Sequence, residues 1–207
     1  ARNLTPESPA DDGSPAYSPD GRFIAFGRQV VKGFYADRTR LVLHDRAAKT
    51  NRVLTEAWDR SVGTLAGPPD SKALVGAIDD AGHGRVYRID AATGAPAPLT
   101  KAHTFSGLAL SRDGRTLLAL RESFSEPPTL VRVDLASGEP TKLSTFNDEL
   151  LARVAWGRYE SVTYKGSGGK DIQMWVVYPP GFDPAKRYPL YLILHGGPHN
   201  GVQDAFT

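Results

Sequence analysis

Short apolar runs, separated by glycine, proline and aspartate, fill most of the 207-residue chain. Runs bounded in this way are typical of β-strands joined by tight turns. The apolar spacing that a helix would show is nearly absent, and only 148–155 favours a helical turn. The pattern therefore predicts a mainly β fold.

The strand pattern repeats three times. Each unit opens with an apolar strand, a tight turn and a second apolar strand, and the turns carry Asp20, Asp70 and Asp113. A second hairpin follows and closes on a leucine with threonine or serine after it. These closing pairs lie at 54–55, 99–100 and 143–144, spaced by 45 and then 44 residues. Four short strands in a unit of this length predict the blade of a β-propeller, although a β-sandwich with coincidental hairpin spacing is an alternative.

Two turn motifs recur in phase with the strands. Ser-Pro-Asp-Gly at 18–21 suits a tight turn, because proline presets φ, aspartate bonds to nearby backbone and glycine accepts a positive φ. Asp-x-x-Thr/Ser-Gly serves the second hairpin at 90–94 and 134–138. The recurrence of both motifs favours the propeller.

Three blades do not close a ring, since propellers have about four to eight. The pair Leu4-Thr5 lies 50 residues before the first closing pair, about one period earlier, where an upstream blade would end. We therefore expect the chain to be a piece of a longer protein, with residues 1–144 as the C-terminal blades of its propeller.

The repeat stops after Ser144. We expect a connector over 145–159 and the start of an α/β-hydrolase domain over 160–207. Strands are predicted at 160–165, 172–178 and 188–194. The last contains a continuous apolar run, as expected of a strand buried on both faces.

The last of these strands leads directly into His-Gly-Gly-Pro at 195–198. Ligands of open α/β sheets bind beyond the carboxyl ends of such strands. In α/β-hydrolases one backbone N–H of the oxyanion hole comes from a loop of this type, where glycine lets the backbone approach the substrate. The alternative is a glycine turn that ends the strand and has no catalytic role.

Propeller blades followed by Tyr-Pro-Leu-Tyr-Leu-Ile-Leu-His-Gly-Gly-Pro-His at 188–199 resemble the prolyl oligopeptidase family of serine peptidases. The loop, and the approach to it at 179–189, is most similar to the acylaminoacyl-peptidase and dipeptidyl-peptidase V branch. The resemblance implies a propeller that restricts access to a hydrolase active site acting on short peptides. It also implies that Gly197 offers its backbone N–H to the oxyanion, while His195, Gly196 and Pro198 shape the loop.

The chain departs from the family's pattern in one large respect. No Gly-x-Ser-x-Gly occurs in it, and the nucleophile, acid and histidine of this fold follow the oxyanion strand in that order. We therefore expect the Ser/Asp/His triad to lie beyond residue 207 and this chain alone to be inactive. The missing hydrolase part and the upstream blades would then be its partners, beside a peptide substrate.

Other chemistry receives little support. Proline and glycine between His195 and His199 forbid the helix that a zinc motif needs, so no metal and no cofactor are predicted. Glu122 is a weak candidate for binding the amino terminus of a peptide. With a net charge of +2, no basic stripe and no long apolar run, neither nucleic acid nor a membrane is an expected partner.

The compartment and the oligomeric state stay open. The chain has no cysteine, and no signal peptide is visible in it. Two other functions also stay open: a non-catalytic propeller that binds a partner, and an esterase of the His-Gly-Gly class.

Overall fold

The computed structural model describes residues 3–63, 65–67, 71–197 and 199–206. Within these ranges the strands form three four-stranded antiparallel sheets and one two-stranded sheet. In each four-stranded sheet the strands lie side by side in chain order. The prediction of about three four-stranded propeller blades is therefore confirmed.

The bounds of the strands follow the predicted hairpins closely. Blade 1 consists of β1 (Asp12–Tyr17), β2 (Phe23–Arg28), β3 (Arg40–Asp45) and β4 (Thr50–Val53). Blade 2 consists of β5 (Leu65–Ala66), β6 (Ala73–Asp80), β7 (His83–Asp90) and β8 (Pro96–Pro98). Blade 3 consists of β9 (Thr104–Leu110), β10 (Thr116–Ser123), β11 (Glu126–Asp134) and β12 (Pro140–Lys142).

The turns between the first two strands of blades 1 and 3 have the chemistry that the sequence predicts. Asp20 accepts a hydrogen bond from the Ser18 hydroxyl at 2.6 Å, and Gly21 has a φ of +70°. In blade 3, Asp113 accepts from the Ser111 hydroxyl, also at 2.6 Å. Asp70, predicted for the same turn of blade 2, lies outside the described residues.

The recurring Leu-Thr/Ser pairs hold the end of one blade against its own third strand. In each pair the hydroxyl oxygen accepts a backbone N–H, and in blades 1 and 2 this satisfies a buried donor. The bonds join Leu41 to Thr55 at 2.8 Å, Val86 to Thr100 at 2.9 Å and Leu130 to Ser144 at 3.0 Å. The period in the sequence therefore reports one repeated hydrogen bond.

The core lies between the faces of neighbouring blades. Alternate residues of a strand point to opposite faces. Ile78 and Ile89 of blade 2 pack towards blade 1, whereas Val75 and Val86 pack towards blade 3. Blade 2 is thus buried on both faces, which explains the nearly continuous apolar run of β6.

The chain after blade 3 begins with a short helix, α1 (Asp148–Leu151), within the stretch that favoured a helical turn. A hairpin follows, β13 (Tyr159–Lys165) paired antiparallel with β14 (Asp171–Val177). These are the first two strands predicted for the C-terminal region. Among the described residues, no helix is long and apolar enough to cross a membrane.

The prediction of a buried strand at 188–194 is wrong in this structure. No described strand pairs with this run, and its side chains are exposed, Leu190 by 91% and Ile193 by 84%. A strand buried on both faces needs neighbours to satisfy its backbone groups and elements to cover its side chains. The described residues supply neither to this run.

Candidate active site: the loop after the apolar run

The predicted oxyanion loop lies exposed after the apolar run. Gly197 has a φ of +135°, and a Cβ there would lie 3.0 Å from the side chain of Asn200. The positive φ favours glycine at this position, whereas the exposed Asn200 side chain could move away from a Cβ. His195 stays local, with Nδ1 3.1 Å from the carbonyl oxygen of Gly196. Pro198, the fourth residue predicted to shape the loop, lies outside the described residues.

A loop of blade 1 contacts the predicted oxyanion loop. The Tyr35 hydroxyl, in the connection between β2 and β3, donates to the carbonyl oxygen of Gly197 at 3.2 Å. The Tyr35 ring also meets the His199 ring edge-on, with centroids 4.9 Å apart. Within the connection Asp37 accepts the Val30 N–H at 2.6 Å, and this bond is the main reason why the pKa of Asp37 is lowered. Through Tyr35, the propeller therefore contacts Gly197 of the predicted site.

Sequence reasoning did not single out Tyr35. It is separated from Gly197 by 162 residues, and it lies in a connection outside the repeated hairpins. The available signal was the aromatic pair Phe34-Tyr35, which lies outside the apolar runs predicted to form strands. Tyr35 is 72% exposed, so its ring is not a core residue.

Glu122, the weak candidate for binding a peptide amino terminus, lies in β10 of blade 3. Its carboxylate accepts the backbone N–H of Phe206 at 3.1 Å. The side chain thus receives a backbone N–H donor from the end of the described chain. A role in substrate binding stays a prediction.

The end of the described chain also buries a carboxylate, that of Asp204. Only 1% of this residue is exposed. Its oxygens lie 2.9 Å from His103 Nδ1 and 2.9 Å from the Phe124 backbone nitrogen, and the Tyr159 hydroxyl is at 3.3 Å. Sequence reasoning missed this cluster, because nothing in the sequence places Asp204 beside residues of blade 3.

Trp175 of β14 lies in the same region. Its ring meets those of His83, Phe124 and Tyr159, with centroids 5.3, 5.3 and 5.9 Å apart. Its indole N–H donates to the carbonyl oxygen of Val202 at 3.0 Å. This tryptophan therefore connects blades 2 and 3, the hairpin and the end of the chain.

No nucleophile of the predicted kind is available, since the sequence contains no Gly-x-Ser-x-Gly. In the part of the chain that the structure describes, no three histidine, cysteine, aspartate or glutamate residues cluster as metal ligands would. The group that the predicted loop offers for chemistry is therefore its backbone N–H.

Known proteins resemble the chain in both sequence and fold, although no family model matches it. Dipeptidyl-peptidase 5 of Porphyromonas gingivalis is 30% identical over 197 residues, which are 95% of this chain and 28% of that protein. Acylaminoacyl peptidase of Pyrococcus horikoshii matches with a TM-score of 0.72 and 18% identity, over 91% of this chain and 28% of that one. In sequence and fold the chain is thus similar to peptidases of the prolyl oligopeptidase family. The resemblance carried by the blades and by residues 188–199 is thus confirmed.

The propeller domain of another peptidase has a similar fold. The β-propeller domain of the Trilobed protease from Pyrococcus furiosus matches with a TM-score of 0.51 and 22% identity, over 65% of this chain and 38% of that one. This likeness supports the assignment of the four-stranded sheets as blades. The chain spans somewhat more than a quarter of the length of the dipeptidyl-peptidase 5 that it matches.

Proposed function

We propose that this chain is part of a serine peptidase that removes dipeptides or N-acylated amino acids from short peptides through an acyl-enzyme. In this proposal residues 1–144 are propeller blades that restrict access, 145–159 are a connector and 160–207 begin the hydrolase domain. The observation that carries the proposal is the 30% identity to a dipeptidyl-peptidase 5 over 95% of the chain. A match of that extent includes both the blades and most of the region with the glycine loop.

The loop has the features that an oxyanion donor needs. Gly197 is exposed, has a backbone conformation that favours glycine and presents no Cβ to a substrate. In the proposed reaction its N–H binds the oxygen that becomes negative in the tetrahedral intermediate. His195, Gly196 and Pro198 shape the loop. A backbone donor of this kind contributes about 3–4 kcal/mol to transition-state stabilisation.

The nucleophile and its acid and histidine partners belong to other residues than these. The chain holds no Gly-x-Ser-x-Gly, so we propose that these 207 residues alone do not hydrolyse peptides. The intact protein that carries the chain is therefore the material for any activity measurement.

Labelling of the intact protein with a fluorophosphonate tests the proposal. We expect one serine to react per molecule, and dipeptidyl or N-acyl-aminoacyl substrates to be turned over faster than acyl-chain esters. Absence of both labelling and peptide hydrolysis would contradict the proposal and favour a propeller that only binds a partner. Fast ester turnover without peptide hydrolysis would favour an esterase.

The role of the loop is tested by Gly197→Pro, which removes the proposed N–H donor and also excludes the φ of +135° found at this position. We expect kcat for a peptide substrate to fall by roughly 10²–10³, with the thermal unfolding of the protein little changed. Wild-type turnover in this variant would show that the loop is structural only.

A further inference from the structure

The last described residues form a segment, 202–206, that lies against the propeller and the β13–β14 hairpin. The backbone N–H of Asp204 donates to the carbonyl oxygen of Gly82, in the turn between β6 and β7, at 2.8 Å. Phe206 donates to Glu122 of blade 3, and Val202 accepts from Trp175 of the hairpin. We call residues 202–206 the docking segment. Its contacts reach three separate parts of the fold.

The side chain of Asp204 is the centre of this contact. A buried carboxylate is strongly unfavourable unless hydrogen bonds and opposite charge compensate for the loss of water. Asp204 receives three such contacts, from His103 and the Phe124 N–H of blade 3 and from the Tyr159 hydroxyl of the hairpin. Each partner comes from outside the docking segment, so the carboxylate joins elements rather than stabilising its own turn.

A second histidine, His83, also lies near the Asp204 carboxylate. Its Nδ1 lies 3.8 Å from the nearer carboxylate oxygen of Asp204, and its ring meets that of Trp175 edge-on. Burial is the main cause that lowers the pKa of His83, and the nearby charge of Arg85 lowers it further. Because its pKa lies below 6.5, His83 is neutral at pH 7. His103, at 2.9 Å, is the closer histidine partner of Asp204.

The oxyanion loop is thus held on both sides by the propeller. On one side Tyr35 of blade 1 donates to the carbonyl oxygen of Gly197. On the other side Asp204, seven residues after Gly197, is fixed between blades 2 and 3 and the hairpin. A loop rich in glycine has many backbone conformations, and two fixed points reduce them.

We infer that Asp204, together with Tyr35, is a positioning residue through which the propeller orients the Gly197 N–H. The inference rests on the proposed function, because it gives the propeller a part in the reaction besides restricting access. Positioning matters for rate, since a displacement of about 1 Å at a reacting group can lower the rate about 10²-fold. Neither residue touches the substrate in this proposal, and both act through the loop.

The test uses the intact protein with Asp204→Asn, Tyr35→Phe and the double variant. We expect hydrogen exchange over residues 195–206 to become faster and kcat to fall about 10- to 100-fold in Asp204→Asn, with KM changed less than about twofold. The smaller change, Tyr35→Phe, keeps the ring and is expected to lower kcat by less. Matched controls are Asp59→Asn, whose side chain is fully exposed, and Tyr17→Phe, at an exposed tyrosine of blade 1.

The outcomes separate the inference from the proposed function. An active wild-type protein in which Asp204→Asn leaves either kcat or the exchange of 195–206 unchanged would overturn the inference alone. A wild-type protein with no peptidase activity would refute the proposed function and, with it, any catalytic role of Asp204 and Tyr35. A fall in kcat that Asp59→Asn shares would also overturn the inference, since it would reflect general loss of charge.

Discussion

Single residues show where the repeat is imperfect. Gly94 and Gly138 end the Asp-x-x-Thr/Ser-Gly turns of blades 2 and 3 with φ of +78° and +75°. The equivalent position of blade 1 is Lys49, with φ of +57°. All three N–H groups make the same hydrogen bond, 2.8 Å long, to the turn aspartate four residues earlier. Blade 1 therefore has a lysine in a conformation that favours glycine.

Lys49→Gly is expected to stabilise the protein by roughly 0.5–1 kcal/mol. The left-handed conformation disfavours a residue with a Cβ, and this gain exceeds the loss from the more flexible unfolded chain. Urea unfolding at equilibrium measures the change. Lys101→Gly, at a highly exposed lysine without a positive φ, is the control and should be destabilising or neutral. Equal midpoints for the two variants would contradict the argument.

The same turn glycines show how closely the blades approach each other. A Cβ on Gly94 would lie 2.1 Å from the carbonyl oxygen of Leu54, and one on Gly138 would lie 1.7 Å from that of Leu99. The turn of one blade thus packs on the closing pair of the blade before it. The turn motif predicted a positive φ at these glycines, but only the structure showed that they also contact the neighbouring blade.

At the scale of the element, the hairpins were predictable because their signals are local. Alternating apolar residues and turn chemistry lie within one unit, and the bounds of β13 and β14 agree with the prediction to within one residue. The run at 188–194 has an equally strong apolar pattern and forms no strand. Strand pairing depends on neighbours outside the segment, which the pattern of the segment does not describe.

The closing threonines offer a test at this scale. Thr100→Val removes the acceptor of the Val86 N–H, at a position where only 3% of the threonine is exposed. Leaving a buried donor unpaired costs about 1–3 kcal/mol. We expect that loss in the free energy of unfolding, measured by urea denaturation. Thr100→Ser keeps the hydroxyl and is expected to lose less, and equal losses in the two variants would show that the hydrogen bond is unimportant.

At the scale of the whole molecule, the docking segment links the blades to the C-terminal region. His83 lies beside Asp204 of this segment, and its protonation makes the stability of the protein depend on pH. The pKa of His83 is lowered from 6.5, first by burial and then by Arg85 and His103, although the charges of Asp204 and Asp80 oppose this. Below about pH 6.5 the unfolded chain takes up a proton that the folded protein does not. The stability due to neutral His83 is therefore complete above that pH and is lost as the pH falls towards the lower folded pKa.

His83→Phe keeps a ring against Trp175 but does not titrate. Between pH 7.5 and pH 5, we expect wild-type protein to lose more stability than this variant, as measured by urea denaturation followed through tryptophan fluorescence. The difference between the two proteins isolates His83 from the carboxylates, which titrate in both. An identical pH dependence would show that His83 contributes no linkage.

The sequence by itself determined the mainly β architecture, the three blades and their turn chemistry. Each of these depends on residues a few positions apart, or on a period of about 45 residues, so the physical cause lies within one hairpin or its repeat. Only the tertiary structure decided that Tyr35 meets Gly197, that Asp204 is buried between His103, Phe124 and Tyr159, and that the run at 188–194 is exposed. These contacts join residues up to 162 positions apart, and packing between elements brings them together without a local signal.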